Sequence, residues 1–194
     1  GRGLPSPPVD LRRGWCPGGM AVVEGIPWEQ RHMPERWVDG QNQSTPMPRL
    51  EWLASTLPGR SYTYSGVRYD AADLHPWPAI VEVMARASIA AGVEFNAVFA
   101  NMYRDGDDSI GWHSDDEPVL GPTDQAVIAS VSLGARRRFL MREVGRTTNR
   151  HEYDIGEGDL LIMHAGCQSR WEHCAPKTAK PVGPRVSLTF RALK

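Results

Sequence analysis

Beyond Gly92 the spacing of apolar residues changes, and that change restricts the fold more than any other feature of this 194-residue chain. Before it, Ile80, Val83, Met84, Ala87 and Ala91 fall at i, i+3, i+4, i+7 and i+11, on one face of a helix over residues 78–91. Pro78 suits the first turn of that helix and Gly92 its end. After it, FNAVFANMY (95–103), VIASVSL (127–133), RRFLM (137–141), DLLIM (159–163) and RVSLTFR (185–191) read as strands. The clusters RDGDDS (104–109), GPTD (121–124), GRTTN (145–149) and GEGD (156–159) read as the turns between them. One helix followed by many short strands predicts a sandwich or barrel.

The N-terminal part is less regular. Residues 1–20 are rich in Pro and Gly and show no period, so a poorly ordered arm is expected there. Residues 21–60 carry scattered Trp and Pro, suggesting irregular loops and short strands laid over the core. Residues 62–69, YTYSGVRY, alternate aromatic with small or polar residues and predict a strand or hairpin with one aromatic face. A single domain over 21–194 is expected, with a covering segment at about 28–70 and the core at about 78–194.

Composition removes several function classes. Hydrophobic content of 41% and charged content of 23% fit one globular domain with a sizeable core. No run approaches the roughly 18 apolar residues of a membrane span, so no membrane partner is expected. The first residues show no apolar h-region, so no secretory signal is expected. Cys16, Cys167 and Cys174 are odd in number and irregularly spaced, which fits reduced thiols and an intracellular, cytoplasmic or nuclear, setting. Net charge is −1, so there is no bulk basic field to recruit nucleic acid. Any polyanion contact must be local. Arg136, Arg137, Arg138, Arg142, Arg146 and Arg150 are one candidate, and a solvated arginine face is the other reading.

Residues 112–116 read WHSDD. His113 and Asp115 are two apart, so on a strand both side chains leave one face. An imidazole and a carboxylate at that spacing can take adjacent positions on a metal. A second imidazole would complete a facial triad with three open positions, which suits oxygen chemistry at non-haem Fe(II). That imidazole could come from His151, His164 or His173. In the last strand, Val186, Leu188 and Phe190 lie on one side and Arg185, Ser187, Thr189 and Arg191 on the other. Period alone leaves open whether the arginine side is a surface or the wall of a polar anion site.

Together these segments carry a resemblance. The series N-x-Y-x-D-G, W-H-S-D-D-E-P, A-S-V-S-L-G-A-R-R-x-F, G-D-L-L-I-M, W-x-H and P-R-V-S-L-T-F-R resembles the AlkB family of oxidative dealkylases. It is especially similar to the branch containing the two human nucleic-acid repair homologues, from about Trp28 to Leu193. The resemblance implies a double-stranded β-helix, or jelly roll, mainly β with flanking helices and an N-terminal substrate lid.

It further implies that His113, Asp115 and His173 hold Fe(II), with His173 chosen through the W-x-H match. Asn101, Tyr103, Arg185 and Arg191 match residues that hold the co-substrate 2-oxoglutarate; a guanidinium suits a carboxylate by its two-pronged geometry. Tyr62 and Tyr64 match aromatics of the base pocket, and Asp116 and Glu117 are candidates for reading the base's exocyclic edge. The implied reaction is DNA-repair chemistry: demethylation of bases such as 1-methyladenine or 3-methylcytosine with O2, releasing formaldehyde, succinate and CO2. Alkylated DNA or RNA would be the partner of a monomeric enzyme. The alternative is a hydroxylase or demethylase of a protein or small molecule on the same scaffold. One departure stands out: Ser187 occupies a position where the family usually has Asn. Cys174 follows His173 and should point away from the metal as a buried thiol.

Overall fold

The computed structural model describes residues 3–194. In chain order its strands begin with β1 (Val9–Arg12), β2 (Arg36–Val38), β3 (Gln41–Gln43), β4 (Leu50–Ser55), β5 (Ser61–Tyr64), β6 (Val67–Asp70) and β7 (Ala72–Asp73). Helix α1 (Pro78–Ala91) separates them from β8 (Ala97–Tyr103), β9 (Ile110–His113), β10 (Ile128–Gly134), β11 (Arg137–Glu143), β12 (Arg146–Ile155) and β13 (Leu160–Met163). A short helix α2 (Cys167–Arg170), β14 (Trp171–Ala175) and β15 (Arg185–Arg191) complete the chain. The larger sheet has the order β1-β13-β10-β15-β8-β4-β7, and the smaller one β12-β11-β14-β9. The expected jelly roll is therefore present.

Helix α1 occupies the predicted residues. Pro78 opens it, and Gly92 closes it at φ 71°, a left-handed conformation that glycine adopts without a Cβ clash. Ile80, Val83, Met84 and Ala87 are buried against the outer face of the large sheet, where they meet Trp52, Val98, Val131 and Leu188. A second cluster lies on the inner side and includes Leu53, Phe99, Ile128, Phe139, Met141 and Trp171. These two clusters settle the reading of the last strand. Val186, Leu188 and Phe190 belong to the helix-side core, and all seven residues of β15 are buried. Its arginine face is therefore an interior wall, not a surface.

Three N-terminal and hairpin expectations need correction. Part of the expected arm is a sheet edge: β1 pairs with β13, from Val9 opposite Met163 to Arg12 opposite Leu160. Val9 and Leu11 pack against the inner core, and Arg13 and the Gly14 amide bind the Asp159 carboxylate. Four residues are too few to display a period; residues 1–2 of that expectation lie outside the described residues. Within the segment expected as irregular loops and short strands laid over the core, β4 is an interior strand between β8 and β7. Both its faces are buried, and Leu53 shares the inward side with Glu51 and Ser55, which hides the alternation. Residues 145–149, expected as a turn, contain only the end of one, because β12 already starts at Arg146. As an edge strand it carries polar residues that mimic a loop. Residues 62–69 form the β5–β6 hairpin as expected, with Tyr62 paired to Tyr69.

Candidate active site

The inner face of the large sheet is built in rows across its strands. Arg185 of β15 stands opposite Tyr103, Ser187 opposite Asn101, and Arg191 opposite Ala97 of β8. Asn101 in turn stands opposite Glu51 of β4. The polar alternation of β15 and the 101/103 spacing of β8 thus place Asn101, Tyr103, Arg185 and Arg191 on one wall. All four line one cavity, together with Tyr62 and Tyr64 from the hairpin and His113, Asp115 and His173 from the opposite side.

The small sheet supplies the two imidazoles. His173 of β14 pairs in register with His113 of β9 on one side and with Met141 of β11 on the other. The two rings lie 4.3 Å apart between centroids. Strand β9 ends at His113, so Asp115 reaches the same face from the following loop and not from the strand itself. That loop is pinned: Ser114 Oγ donates to Trp171 O at 2.7 Å, and the Asp115 amide donates to Gln168 Oε1 at 2.9 Å.

His113 Nδ1 donates to Gly111 O at 2.8 Å, which leaves the Nε2 lone pair free for a cation. The ligand atoms of His113, Asp115 and His173 all lie within 4.8 Å of one another, and no other such cluster occurs among the described residues. Asp115 Oδ2 is buried without a hydrogen-bond partner, 3.6 Å from His173 Nε2. An unpartnered anionic oxygen beside two imidazole nitrogens is costly unless a cation sits between them. The donor set therefore fits a divalent metal, and its two-His, one-carboxylate composition suits iron.

Electrostatics prepare these groups for metal. Burial drives the His173 imidazole toward its neutral form, with His113 adding to the effect, and the ring titrates at about 3. Burial alone would raise the Asp115 carboxyl, but the Arg191 guanidinium and the two imidazoles outweigh it and hold it at about 2. At neutral pH the His173 ring is therefore neutral and Asp115 is a carboxylate, the forms that bind a cation.

His164 and His151 stand elsewhere. The His164 amide donates to Pro8 O beside β1, and the His151 ring packs edge-on against Trp171, 5.5 Å between centroids.

The arginine wall carries a matching signature. Arg185 Nη2 donates to Ser132 Oγ at 2.9 Å, and Arg191 Nη2 to Asp115 Oδ1 at 3.1 Å. Arg185 Nε, Arg191 Nε and Asn101 Oδ1 are buried without partners. The two guanidinium Nε–H donors suit a ligand bearing carboxylates, as 2-oxoglutarate does, whereas Asn101 Oδ1 is an acceptor. Ser187 Oγ lies 3.0 Å from Ser130 Oγ and 3.3 Å from Thr189 Oγ1, so the residue at the usual Asn position is held in a hydroxyl row.

The other expected residues divide. The Tyr64 ring lies 5.6 Å from the His113 ring, and burial pushes its hydroxyl up to about 12. Tyr62 OH donates to Glu117 Oε2 at 2.6 Å. That contact engages one oxygen of Glu117, which is not among the residues lining the cavity, and Asp116 is exposed and does not line it either. The arginine group is also not one face. Arg137 is buried and donates to the carbonyls of Asp105, Asp108 and Pro176, whereas Arg136, Arg138 and Arg146 are about half exposed. Cys174 is buried and all three thiols are free. Glu51 was not singled out in the sequence; its signal was the R-L-E spacing that brings Arg49, just before β4, beside Glu51.

The family model described as the 2OG-Fe(II) oxygenase superfamily matches residues 20–191. The chain belongs to this superfamily. Within it, similarity runs to AlkB-type oxygenases. The chain is 38% identical over 180 residues to the Mus musculus alpha-ketoglutarate-dependent dioxygenase alkB homolog 3, covering 89% of this chain and 59% of the mouse protein. It is 37% identical over 143 residues to the Homo sapiens DNA oxidative demethylase ALKBH2, covering 70% of this chain and 53% of the human protein. The chain thus spans less than two thirds of these relatives. The solved structure of OsALKBH1 shares the fold, with a TM-score of 0.59 at 16% identity over 98% of this chain and 99% of that one. For a 2OG-Fe(II) oxygenase, the His113–Asp115–His173 cluster is the group of side chains that fits the iron.

Proposed function

We propose that this oxygenase removes N-alkyl groups from alkylated nucleic-acid bases, such as 1-methyladenine and 3-methylcytosine, using 2-oxoglutarate and O2. The observation that carries this reading is the shared cavity: the aromatic face of β5, Tyr62 and Tyr64, lines the same space as the three candidate metal ligands. Aromatic rings beside an oxidising centre suit a flat base drawn out of its stack. The names of the matched relatives, DNA oxidative demethylase among them, favour the same substrate class.

Bound iron with 2-oxoglutarate would supply the oxidising power that converts an N-methyl group to formaldehyde, with succinate and CO2 as co-products. The chain's own part is binding and exclusion. His113, Asp115 and His173 would hold the metal, and Arg185 and Arg191, with Asn101 and Tyr103, would fix the carboxylates of the co-substrate. Tyr64 would stack on the base, and the buried inner core would keep water from the reacting C–H bond. The chain acts in this account as a monomer inside the cell, in keeping with its free thiols.

The near-neutral net charge of −1 keeps in play a second reading, a protein or small-molecule substrate. Incubation with methylated oligonucleotides, Fe(II), ascorbate and 2-oxoglutarate separates the two. Formaldehyde matched to succinate is the expected result; succinate without demethylation of any DNA or RNA in a single- and double-stranded panel would sink the nucleic-acid reading.

A further inference from the structure

One buried carboxylate in the cavity wall belongs neither to the metal cluster nor to the arginine wall. Glu51 is 2% exposed and lines the cavity with Tyr62, Tyr64 and His113. It stands opposite Asn101 at the β4 end of the polar row. Its Oε1 accepts from Tyr69 OH at 2.8 Å, and Tyr69 is itself fixed by the Phe99 ring, 4.9 Å away, and by the Arg31 guanidinium, 4.5 Å above it. No hydrogen bond among the described residues reaches Oε2, which faces Arg49 Nε at 3.5 Å. Arg49 is anchored in turn on Ser109 O and Met47 Sδ.

We propose that Glu51 is a specificity-determining residue whose carboxylate recognises the cationic, N–H-bearing edge of an alkylated base. The inference rests on the dealkylase reading above. Among the described acidic residues only Asp115 and Glu51 line the cavity; Asp116 is exposed, and Glu117, bonded to Tyr62 through Oε2, is not in the lining. Glu51 is held through Oε1, while Oε2, ion-paired with Arg49 Nε at 3.5 Å but without a hydrogen bond, keeps lone pairs for a ligand N–H. In a buried setting an incoming cation meets that oxygen with little solvent screening. Burial pushes the Glu51 carboxyl up, with Arg49 and Tyr69 opposing, so a cationic ligand also relieves an unfavourable anion. A neutral methylated base with no exocyclic N–H gains neither effect.

Matched oligonucleotides carrying 3-methylcytosine, which is cationic, or 3-methylthymine, which is neutral, test this. The ratio of their kcat/KM values is compared between the unaltered protein and Glu51→Gln, which keeps the volume and removes the charge. The preference for 3-methylcytosine should fall about tenfold, the equivalent of about 1.4 kcal/mol, chiefly through KM. The same ratio is read as Kd by fluorescence anisotropy with Mn(II) in place of iron. Tyr69→Phe, which loses only the hydroxyl that orients Glu51, should shift it in the same direction by a smaller factor. If Glu51→Gln does not fold, Tyr69→Phe decides. A preference unchanged within about twofold would overturn the assignment while leaving the dealkylase reading intact. An unaltered protein that forms succinate but neither demethylates nor binds either oligonucleotide overturns both.

Discussion

Arg191, the last residue of β15, donates through Nη2 to Asp115 Oδ1 at 3.1 Å, so the final strand of the large sheet is tied to a candidate metal ligand on the loop that follows β9 of the small one. Both side chains are buried. Removing one partner of such a pair strands the other charge, at a cost of about 3–5 kcal/mol. Arg191→Met should therefore lower the stability of the metal-free protein by about that amount, read from urea unfolding midpoints. A loss under about 1 kcal/mol would mean the pair is not a structural tie.

The same site sets the acid limit of the metal-free protein. His173 titrates at about 3 in the fold, below its ordinary value of roughly 6.5, so the unfolded chain binds its proton first. Stability from this group is complete above about 6.5 and is lost as pH falls toward 3. Asp115, held at about 2, adds a second loss below the ordinary carboxylate range. Thermal unfolding from pH 7 to pH 4 should show falling stability, and His173→Gln should flatten that slope. An equal slope in both proteins would contradict the assignment.

Among the arginines of β11, burial predicts opposite outcomes for neighbours. Arg137 satisfies three backbone carbonyls from the 104–109 turn and Pro176. Arg137→Ala should destabilise by about 3 kcal/mol or more, because buried acceptors lose a charged donor. Arg138, half exposed and 3.7 Å from Glu152, should change stability by less than about 0.5 kcal/mol when replaced by Ala. Comparable losses in both would show that the turn is not held through Arg137.

Ser187 gives a milder test. Its hydroxyl sits in a buried row with Ser130 and Thr189. Ser187→Ala should cost about 0.5–1.5 kcal/mol in stability. The KM for 2-oxoglutarate should stay within about threefold, because the arginines carry the charge. A larger KM rise would give this serine the role expected of the family's Asn.

The parts of the fold legible in the sequence were those with a strong local period. α1 occupies the 78–91 span that its apolar face and its Pro78 and Gly92 ends indicated, and β15 ran over the predicted 185–191. β1, β4 and β12 were obscured for separate reasons: brevity at a sheet edge, burial on both faces, and an exposed polar edge. The site followed the same rule. Two-residue spacing grouped Asn101 with Tyr103 and Tyr62 with Tyr64, because a strand turns that spacing into a shared face. Which histidine joins His113 and Asp115 depended on long-range pairing, β14 against β9, that only the resemblance supplied. Glu51 was missed because its segment was read as irregular loops and short strands over the core, not as a wall of the cavity.

The central claim is that His113, Asp115 and His173 together hold the iron on which 2-oxoglutarate acts. Anaerobic titration of the protein with Fe(II) in the presence of 2-oxoglutarate, followed by visible charge-transfer absorption, tests it most directly. One equivalent of iron should saturate the band, and His113→Ala, Asp115→Ala and His173→Ala should each abolish it while remaining folded by circular dichroism. A band of undiminished intensity in the folded variants would place the iron elsewhere and contradict the account.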